Sequence, residues 1–240
     1  MIKHTVRLAC LSLALAPLPL LADNDFDNLR DLAQDDFRTL SEDLAAATSY
    51  KAVSPAEPLG LLGFDIGLEL TATKLDKDIF EDASAGDWDL GYLPLPKVHA
   101  HKGLPFNVDV GAFYAGAPGT DISLIGGEIR YSLLEGSIIS PALAFRLTYS
   151  RLEGVDELEL ENTGIEVSIS KGFAMLTPYA GVGSIRTTSE AVDVDELDEE
   201  TFSSTKLFAG LNVNLGMNLG FEADVTGGVP SYSLKASLRF

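Results

Sequence analysis

The sequence is poor in three features, each of which would define a class of protein: cysteine, long apolar runs and basic residues. Its single cysteine is Cys10, so an internal disulfide is excluded. No apolar run of about 18 residues follows the start of the chain, which excludes transmembrane helices. The chain has 17 Lys and Arg against 36 Asp and Glu, a net charge of −19. This acidity excludes nucleic acid as a partner, because phosphate binding needs a basic face.

The first 22 residues predict a cleaved secretory signal peptide. Lys3 and Arg7 form a basic start, Leu8–Leu15 is a short apolar run, and Ala22 is the small residue before the predicted cleavage point. Cleavage would remove Cys10 and leave 15 basic residues against 36 acidic ones. We therefore expect an exported protein without thiol chemistry.

A helix and a linker are predicted for residues 23–58. Between about residues 24 and 49, apolar residues at steps of three and four form a stripe on one helical face. Pro55 and Pro58 then end the helical region. We expect a periplasmic amphipathic helix that would plug or cover the mouth of a barrel. The apolar side chains of this possible plug are Phe26, Leu29, Phe37, Leu40 and Leu44.

From about residue 59 to residue 240 the apolar residues recur at every second position. In Phe64–Ala72 one face is wholly apolar and the other holds Asp, Gly, Glu and Thr, which predicts a strand between two different environments. About ten such stretches occur, and tight turns alternate with longer, often acidic connections. The pattern predicts an all-β fold, a closed antiparallel transmembrane barrel of about ten strands with its short turns in the periplasm. An even number of strands would leave both ends of the chain in the periplasm.

Charge is segregated between the two faces of the predicted strands. The apolar faces carry no charged residue, as expected in lipid, where a basic side chain at mid-membrane costs about 2–4 kcal/mol. A soluble β-sandwich also alternates and is the alternative fold. The opposite faces predict a charge network in the lumen. Its members are Asp65, Glu69, Lys97, His99, His101, Asp109, Glu128, Arg130, Arg146, Glu166, Lys206, Glu222, Asp224, Lys235 and Arg239.

His99 and His101 allow two interpretations. They share one face of the second strand with Lys97, and Asp65 lies at the matching height of the first strand. These residue types suit a metal or acid–base site. We favour a network of ion pairs and hydrogen bonds, because buried charges must be paired. We therefore predict no metal, no cofactor and no catalytic residue.

The acidic loops are expected to face the outside. The stretch Glu190–Glu200 has enough carboxylates to hold divalent cations, which would bridge it to lipopolysaccharide phosphates. It lacks the glycine and the spacing of an EF-hand loop, so a solvated, self-repelling loop is the favoured interpretation.

The last strand ends on an aromatic residue, and its outer face carries Tyr232, Leu234, Leu238 and Phe240. With the signal peptide, the alternating strands and the acidic loops, this ending resembles the small outer-membrane barrel proteins of proteobacteria, over about residues 62–240. The resemblance implies an outer-membrane location and contact with outer-membrane lipid and lipopolysaccharide. It also implies periplasmic chaperones and the barrel-assembly machinery as partners, with the terminal aromatic as the recognition signal. The N-terminal helix loosely resembles the hatch of long-chain fatty acid transporters, which, like porins, are larger barrels.

Three functions remain open from the sequence. A barrel of about ten strands has a narrow interior, so we expect a narrow or gated pore, or a transporter for a small or hydrophobic solute. The alternative is a non-conducting structural or adhesive barrel with acidic surface loops. An outer-membrane enzyme, such as a hydrolase, is the third possibility. No Gly-x-Ser-x-Gly motif is present, and both histidines of the mature chain map to the periplasmic rim, so we expect no enzymatic activity.

Overall fold

The computed structural model describes Leu29 and residues 32–83, 91–116, 122–192, 194 and 196–240. The predicted signal peptide and Phe26 lie outside the described residues. The helices are α1 (Gln34–Thr48) and α2 (Lys77–Ala83). The strands are β1 (Phe64–Lys74), β2 (Tyr92–Gly103), β3 (Val108–Gly116), β4 (Ser123–Glu135), β5 (Ala142–Glu153), β6 (Leu158–Ser170), β7 (Leu176–Ala191), β8 (Glu200–Asn214), β9 (Asn218–Thr226) and β10 (Val229–Arg239).

The ten strands form one closed antiparallel barrel, in which sequence neighbours pair and β1 pairs with β10. The closing register places Asp65 opposite Arg239 and Thr73 opposite Ser231. At the end of this seam the Phe64 N–H donates to the Phe240 carbonyl at 2.7 Å, and the Phe240 N–H donates to the Phe64 carbonyl at 3.0 Å. Because the sheet closes on itself, each strand has a neighbour on both sides, which strands in lipid require. The predicted fold class is confirmed.

Burial alternates along the strands with a period of two. In β1 the outward Ile66, Leu68 and Leu70 are about half exposed, whereas the inward Asp65 and Glu69 are each 3% exposed. A water-soluble barrel would bury the apolar set instead, so this outer surface suits lipid. None of the described helices is long and apolar enough to cross a membrane.

The barrel has two mouths, which we name by their connections. The turn mouth holds Phe240 and the connections 104–107, 136–141, 171–175 and 215–217. The loop mouth holds the connections 75–91, 117–122, 154–157, 192–199 and 227–228. The difference in length between the two rims is smaller than the sequence predicts. The connection between β9 and β10 at the loop mouth is a tight turn at Gly227 and Gly228, whose φ values of 61° and 100° glycine adopts without strain.

Helix α1 lies inside the loop mouth. It begins at Gln34, later than the predicted start near residue 24. Its position also differs from the expected one, which was the mouth formed by the short turns. The physical reason is that the loop-mouth end of the wall is apolar and matches the helix stripe, whereas the rest of the lumen is charged. The resulting cluster comprises Leu29, Phe37, Leu40, Leu44, Ala47, Leu75, Phe80, Ala83, Leu93, Leu158, Leu160, Ala191 and Leu197.

Residues 49–59, which we call the lumen segment, run down the inside of the barrel from α1 towards β1. Near the loop mouth, Asn162 Nδ2 donates to Thr48 Oγ1 at 2.9 Å. Near the turn mouth, the Leu59 N–H lies 3.2 Å from both oxygens of the Asp109 carboxylate. Pro55 favours extended backbone in the residue before it. The region that the sequence predicts to be a linker therefore forms part of the barrel interior.

Inward aromatic rings of the wall lie directly against glycines of the neighbouring strand. A Cβ added at any of these glycines would collide with the facing ring, so the close approach requires glycine. The Tyr179 hydroxyl of one such pair donates to Glu222 Oε2 at 3.0 Å. The pairs are Phe113–Gly126, Tyr179–Gly210 and Phe208–Gly181. Because these rings pack against the wall, the lumen segment can occupy the middle of the lumen.

Candidate functional site

The candidate site is the interior of the barrel, where charged wall residues meet the lumen segment. The structure places the predicted network on the inward faces of the strands, and every member except Arg239 is buried. The acidic members are Asp65, Glu69, Asp109, Glu128, Glu166, Glu222 and Asp224, and the basic ones are Lys97, Arg130, Arg146, Lys206, Lys235 and Arg239. Because burial removes these charges from water, each needs an opposite charge or a hydrogen bond.

Arg146 joins two acids in the wall. Its Nε lies 2.9 Å from Glu128 Oε2, and its Nη1 donates to Glu166 Oε2 at 2.7 Å. Lys206 Nζ donates to the other oxygen of Glu166 at 2.8 Å. Gly183 of β7 stands between Glu166 of β6 and Lys206 of β8 in the strand register. The missing side chain at Gly183 gives the lysine room to reach the acid two strands away.

Asp65 lies at the β1–β10 seam and pairs with two bases of the last strand. Its carboxylate oxygens lie 3.3 Å from Lys235 Nζ and 3.4 Å from Arg239 Nε. His101 stands opposite Asp65 in the strand register, as the sequence predicts. Its ring, however, contacts Tyr50 of the lumen segment, and its Nε2 lies 3.0 Å from the tyrosine hydroxyl. The seam acid and the histidines therefore belong to two separate sets of contacts.

His99 and Lys97 share one acid, Glu69. Lys97 Nζ donates to Glu69 Oε1 at 3.1 Å, and His99 Nε2 lies 2.7 Å from Glu69 Oε2. The rings of His99 and His101 are stacked, with centroids 5.6 Å apart. Within the described parts of the chain, no group of three or more His, Cys, Asp or Glu side chains is arranged to hold a metal ion. These contacts agree with an ion-pair and hydrogen-bond network.

Lys51 is a buried basic residue that sequence reasoning missed. Its Nζ lies 3.0 Å from Asp224 Oδ1 and donates to the Ala46 carbonyl at 2.9 Å, and both side chains of the ion pair are fully buried. The predicted network contains seven acids and six bases. Lys51 adds a seventh positive charge and balances the acids. The only signal in the sequence was one uncompensated acid in the wall, because a lysine in a predicted linker is normally solvated.

Wall side chains also hold the backbone of the lumen segment. Lys206 Nζ donates to the Tyr50 carbonyl at 2.8 Å. Arg130, which pairs with Asp109, donates from Nη1 to the Pro55 carbonyl at 2.7 Å. Ser132 Oγ donates to the Ala56 carbonyl at 2.8 Å. An extended segment that joins no strand ladder needs such partners for its buried carbonyls and N–H groups. The lumen segment is therefore an integral part of the hydrogen-bonded interior.

At the loop mouth, α1 is tied to neighbouring loops by polar contacts. Gln34 Nε2 donates to Glu200 Oε1 at 2.6 Å, and Arg38 Nη1 donates to Glu200 Oε2 at 2.9 Å. Asp43 accepts a hydrogen bond from the Asp76 N–H at 2.5 Å, and burial raises the pKa of Asp43 to about 6. The acidic loop is thus partly engaged with the helix at Glu200. Its central acids at positions 193 and 195 lie outside the described residues.

The residues of the predicted assembly signal lie on the outer face of β10. Tyr232, Leu234 and Leu238 are exposed, as is Phe240 just beyond the strand. The Phe240 ring stacks on the ring of Phe64, with centroids 5.7 Å apart. These side chains therefore point outwards at the seam that closes the barrel. Their recognition by the assembly machinery stays a prediction.

The fold and its outer surface define the class of this protein as a β-barrel with a lipid-facing exterior and a filled lumen. No protein-family model matches the chain, and no curated protein matches it.

Solved structures of outer-membrane barrels resemble its fold. The Neisserial surface protein A is 11% identical, covers 73% of this chain and 95% of its own, and has a TM-score of 0.31. Ail of Yersinia pestis, bound to the heparin analogue sucrose octasulfate, is 15% identical over 74% of this chain and 97% of its own, with a TM-score of 0.27. The translocator domain of the autotransporter NalP from Neisseria meningitidis is 12% identical over 75% and 88%, with a TM-score of 0.36. These are likenesses of fold alone.

Proposed function

We propose that the protein is an outer-membrane barrel that does not conduct, and that it serves as a structural or adhesive barrel whose contacts are made at the loop mouth. The observation that carries this proposal is the filled lumen. The lumen segment passes through the charged interior and is bonded to the wall at Lys51, Arg130 and Asp109. A pore or transporter, the first expectation from the sequence, needs a path through this interior. A structural or adhesive barrel does not.

The energetics of the lumen segment support a barrel that stays closed nearly all the time. Its withdrawal would leave Asp224 without Lys51, and it would take from Arg130 its acceptors Ser54 Oγ and the Pro55 carbonyl. Breaking one buried ion pair by removing a single partner costs about 3–5 kcal/mol. Because several such contacts would be lost together, spontaneous opening is a rare event.

In the proposed orientation the turn mouth faces the periplasm and the loop mouth faces the outside. The two longest connections, 75–91 and 192–199, lie at the loop mouth, and barrels of this class place their longer loops outside. The proposal assigns the His99–Glu69 pair a structural role, because both side chains are fully buried. It includes no catalytic residue and no cofactor.

Conductance across a planar lipid bilayer tests the proposal. The purified full chain should produce no current steps above those of the bare bilayer. A variant lacking residues 34–58 should conduct if its barrel still closes, which shows that the assay detects an open lumen of this size. Regular current steps from the full chain would overturn the non-conducting barrel in favour of a pore or transporter.

Membrane fractionation tests the location. We expect the chain in the outer-membrane fraction and a difference in gel mobility between unboiled and boiled samples, because a closed barrel resists unfolding by detergent until it is heated. A soluble fraction without this mobility difference would contradict the membrane assignment.

A further inference from the structure

We infer that the chain crosses the membrane once more inside its own barrel, so that the start of α1 lies at the loop mouth, on the opposite side of the membrane from Phe240. The inference rests on the proposed membrane location, although not on the proposed absence of conductance. It departs from the sequence expectation that the helix lies in the periplasm.

The upper end of this crossing is fixed at the loop mouth. Besides its bond to Glu200, Gln34 Nε2 donates to the carbonyl of Asp198 at 3.1 Å. About two turns further along α1, Ser41 Oγ donates to Ser189 Oγ at 2.9 Å, close to the end of β7. Ala33, directly before the helix, is exposed. The chain therefore enters α1 at the loop mouth.

The contacts below α1 follow one another in order towards the turn mouth. Asn162 binds Thr48, Asp224 binds Lys51, and Arg130 binds Ser54 and Pro55. Ser132, near the turn-mouth end of β4, then binds Ala56, and Asp109, at the start of β3, binds Leu59. This order leaves no point at which the chain turns back. The segment therefore traverses the lumen once.

The start of the crossing lies beyond the lipid-facing band. At the height where Asn162 holds the end of α1, the neighbouring outward side chains are Tyr149 of β5 and Arg186 of β7. Above them the outward residues of β6 include Glu159 and Glu161. Tyrosine is typical of the membrane interface, and charged side chains are typical of the water beyond it. Helix α1 therefore stands on the aqueous side of the loop mouth.

The crossing gives the barrel a property that its ten strands alone would not have. The start of α1 is held beside the loops, with the filled lumen as its anchor. Its first turn is acidic, and Asp35 and Asp36 there are exposed. With the proposed orientation, this turn forms part of the cell-surface contact area.

Single-cysteine labelling in cells tests the inference in a Cys10→Ala background. Ala33→Cys reports the start of α1, Thr201→Cys reports the loop mouth, and Ile138→Cys reports the turn mouth; all of these positions are exposed. A membrane-impermeant maleimide should label Ala33→Cys and Thr201→Cys in intact cells, and should label Ile138→Cys only after the outer membrane is permeabilised. If Ala33→Cys and Thr201→Cys differ in whether they are labelled in intact cells, the crossing is overturned. Labelling of Ile138→Cys alone in intact cells overturns the surface presentation.

Disulfide trapping gives a second, independent measurement. The variant Ser41→Cys/Ser189→Cys should form an internal disulfide under mild oxidation and shift in a non-reducing gel, because the two hydroxyl oxygens are 2.9 Å apart. The matched pair Ser41→Cys/Ser237→Cys places the second cysteine near the turn-mouth end of β10 and should remain reduced. The reverse result would place α1 at the turn mouth. Current through a full chain that passes both tests would refute the closed barrel and leave the crossing intact.

Discussion

The ion pair between Lys51 and Asp224 provides the sharpest test of the filled lumen, because one partner belongs to the lumen segment and the other to the wall. Their closest atoms are 3.0 Å apart and both side chains are fully buried. At an effective dielectric constant of about 20, two unit charges at this separation attract by about 5–6 kcal/mol. Lys51 also donates to Ala46, and Asp224 also accepts from Thr226, so we expect a smaller coupling, of about 3 kcal/mol.

A double-mutant cycle measures this coupling. The variants are Lys51→Met, Asp224→Asn and the pair together, compared with the unchanged chain in urea titrations of liposome-bound protein. Each single change should lower the free energy of unfolding by about 3 kcal/mol, since it leaves one buried charge without its partner. The double variant should lose far less than the sum of the two.

A matched control uses Glu222, which precedes Asp224 by two residues on the same inward face of β9. Glu222 accepts from the Tyr179 hydroxyl, so Lys51→Met and Glu222→Gln should be nearly additive. If Lys51→Met and Asp224→Asn are additive within about 0.5 kcal/mol, the lumen segment is not docked where the structure places it, and the argument for a closed barrel fails with it.

Three further predictions concern the lipid face, the wall and the helix. Leu147→Arg places a charge on the lipid face and should destabilise the barrel by about 2–4 kcal/mol in urea titrations, whereas Ile138→Arg in the turn mouth should change little; equal effects would contradict the lipid-facing band. Gly210→Ala should cost about 1–3 kcal/mol by overpacking against the Tyr179 ring, and Tyr179→Ala in the same chain should recover part of that loss. The pKa of Asp43, about 6 against an ordinary 3.8, means that docking of α1 is strongest in acid and weakens as the pH rises through 6. The charges beside Asp43 are Glu42, Lys74 and Asp76. Hydrogen-exchange protection factors of α1, which correct for the intrinsic pH dependence of exchange, should therefore be larger at pH 5 than at pH 7.5. Asp43→Asn should remove this difference in protection, and a difference that persists in Asp43→Asn would show that another group causes it.

The strand pattern was readable from the sequence because side chains on a strand alternate strictly between two environments. Ile66 and Leu68 point to one side and Asp65 and Glu69 to the other whatever the neighbouring strands are. The same reasoning predicted which residues enter the lumen, since a charge on the outer face of a barrel is costly in lipid. Local periodicity was sufficient for both inferences.

The partners within the lumen could not be predicted in this way. Asp65 was expected near the histidines, yet it pairs with Lys235 and Arg239 across the closing seam. Which inward side chains meet depends on strand register and on rotamers in a crowded interior. The spacing of residues along one strand predicts neither the strand register nor the rotamers.

The sequence by itself determined that this chain forms a closed barrel with an apolar exterior and a charged interior, because both follow from the alternation of residue types along each strand. Only the tertiary structure decided what fills that interior. The residues between α1 and β1 carry no periodic signal, and Lys51 among them has the appearance of an ordinary linker lysine. Its burial against Asp224 arises because ten strands closing into a narrow ring leave room for one extended segment, and because the wall is one positive charge short without it.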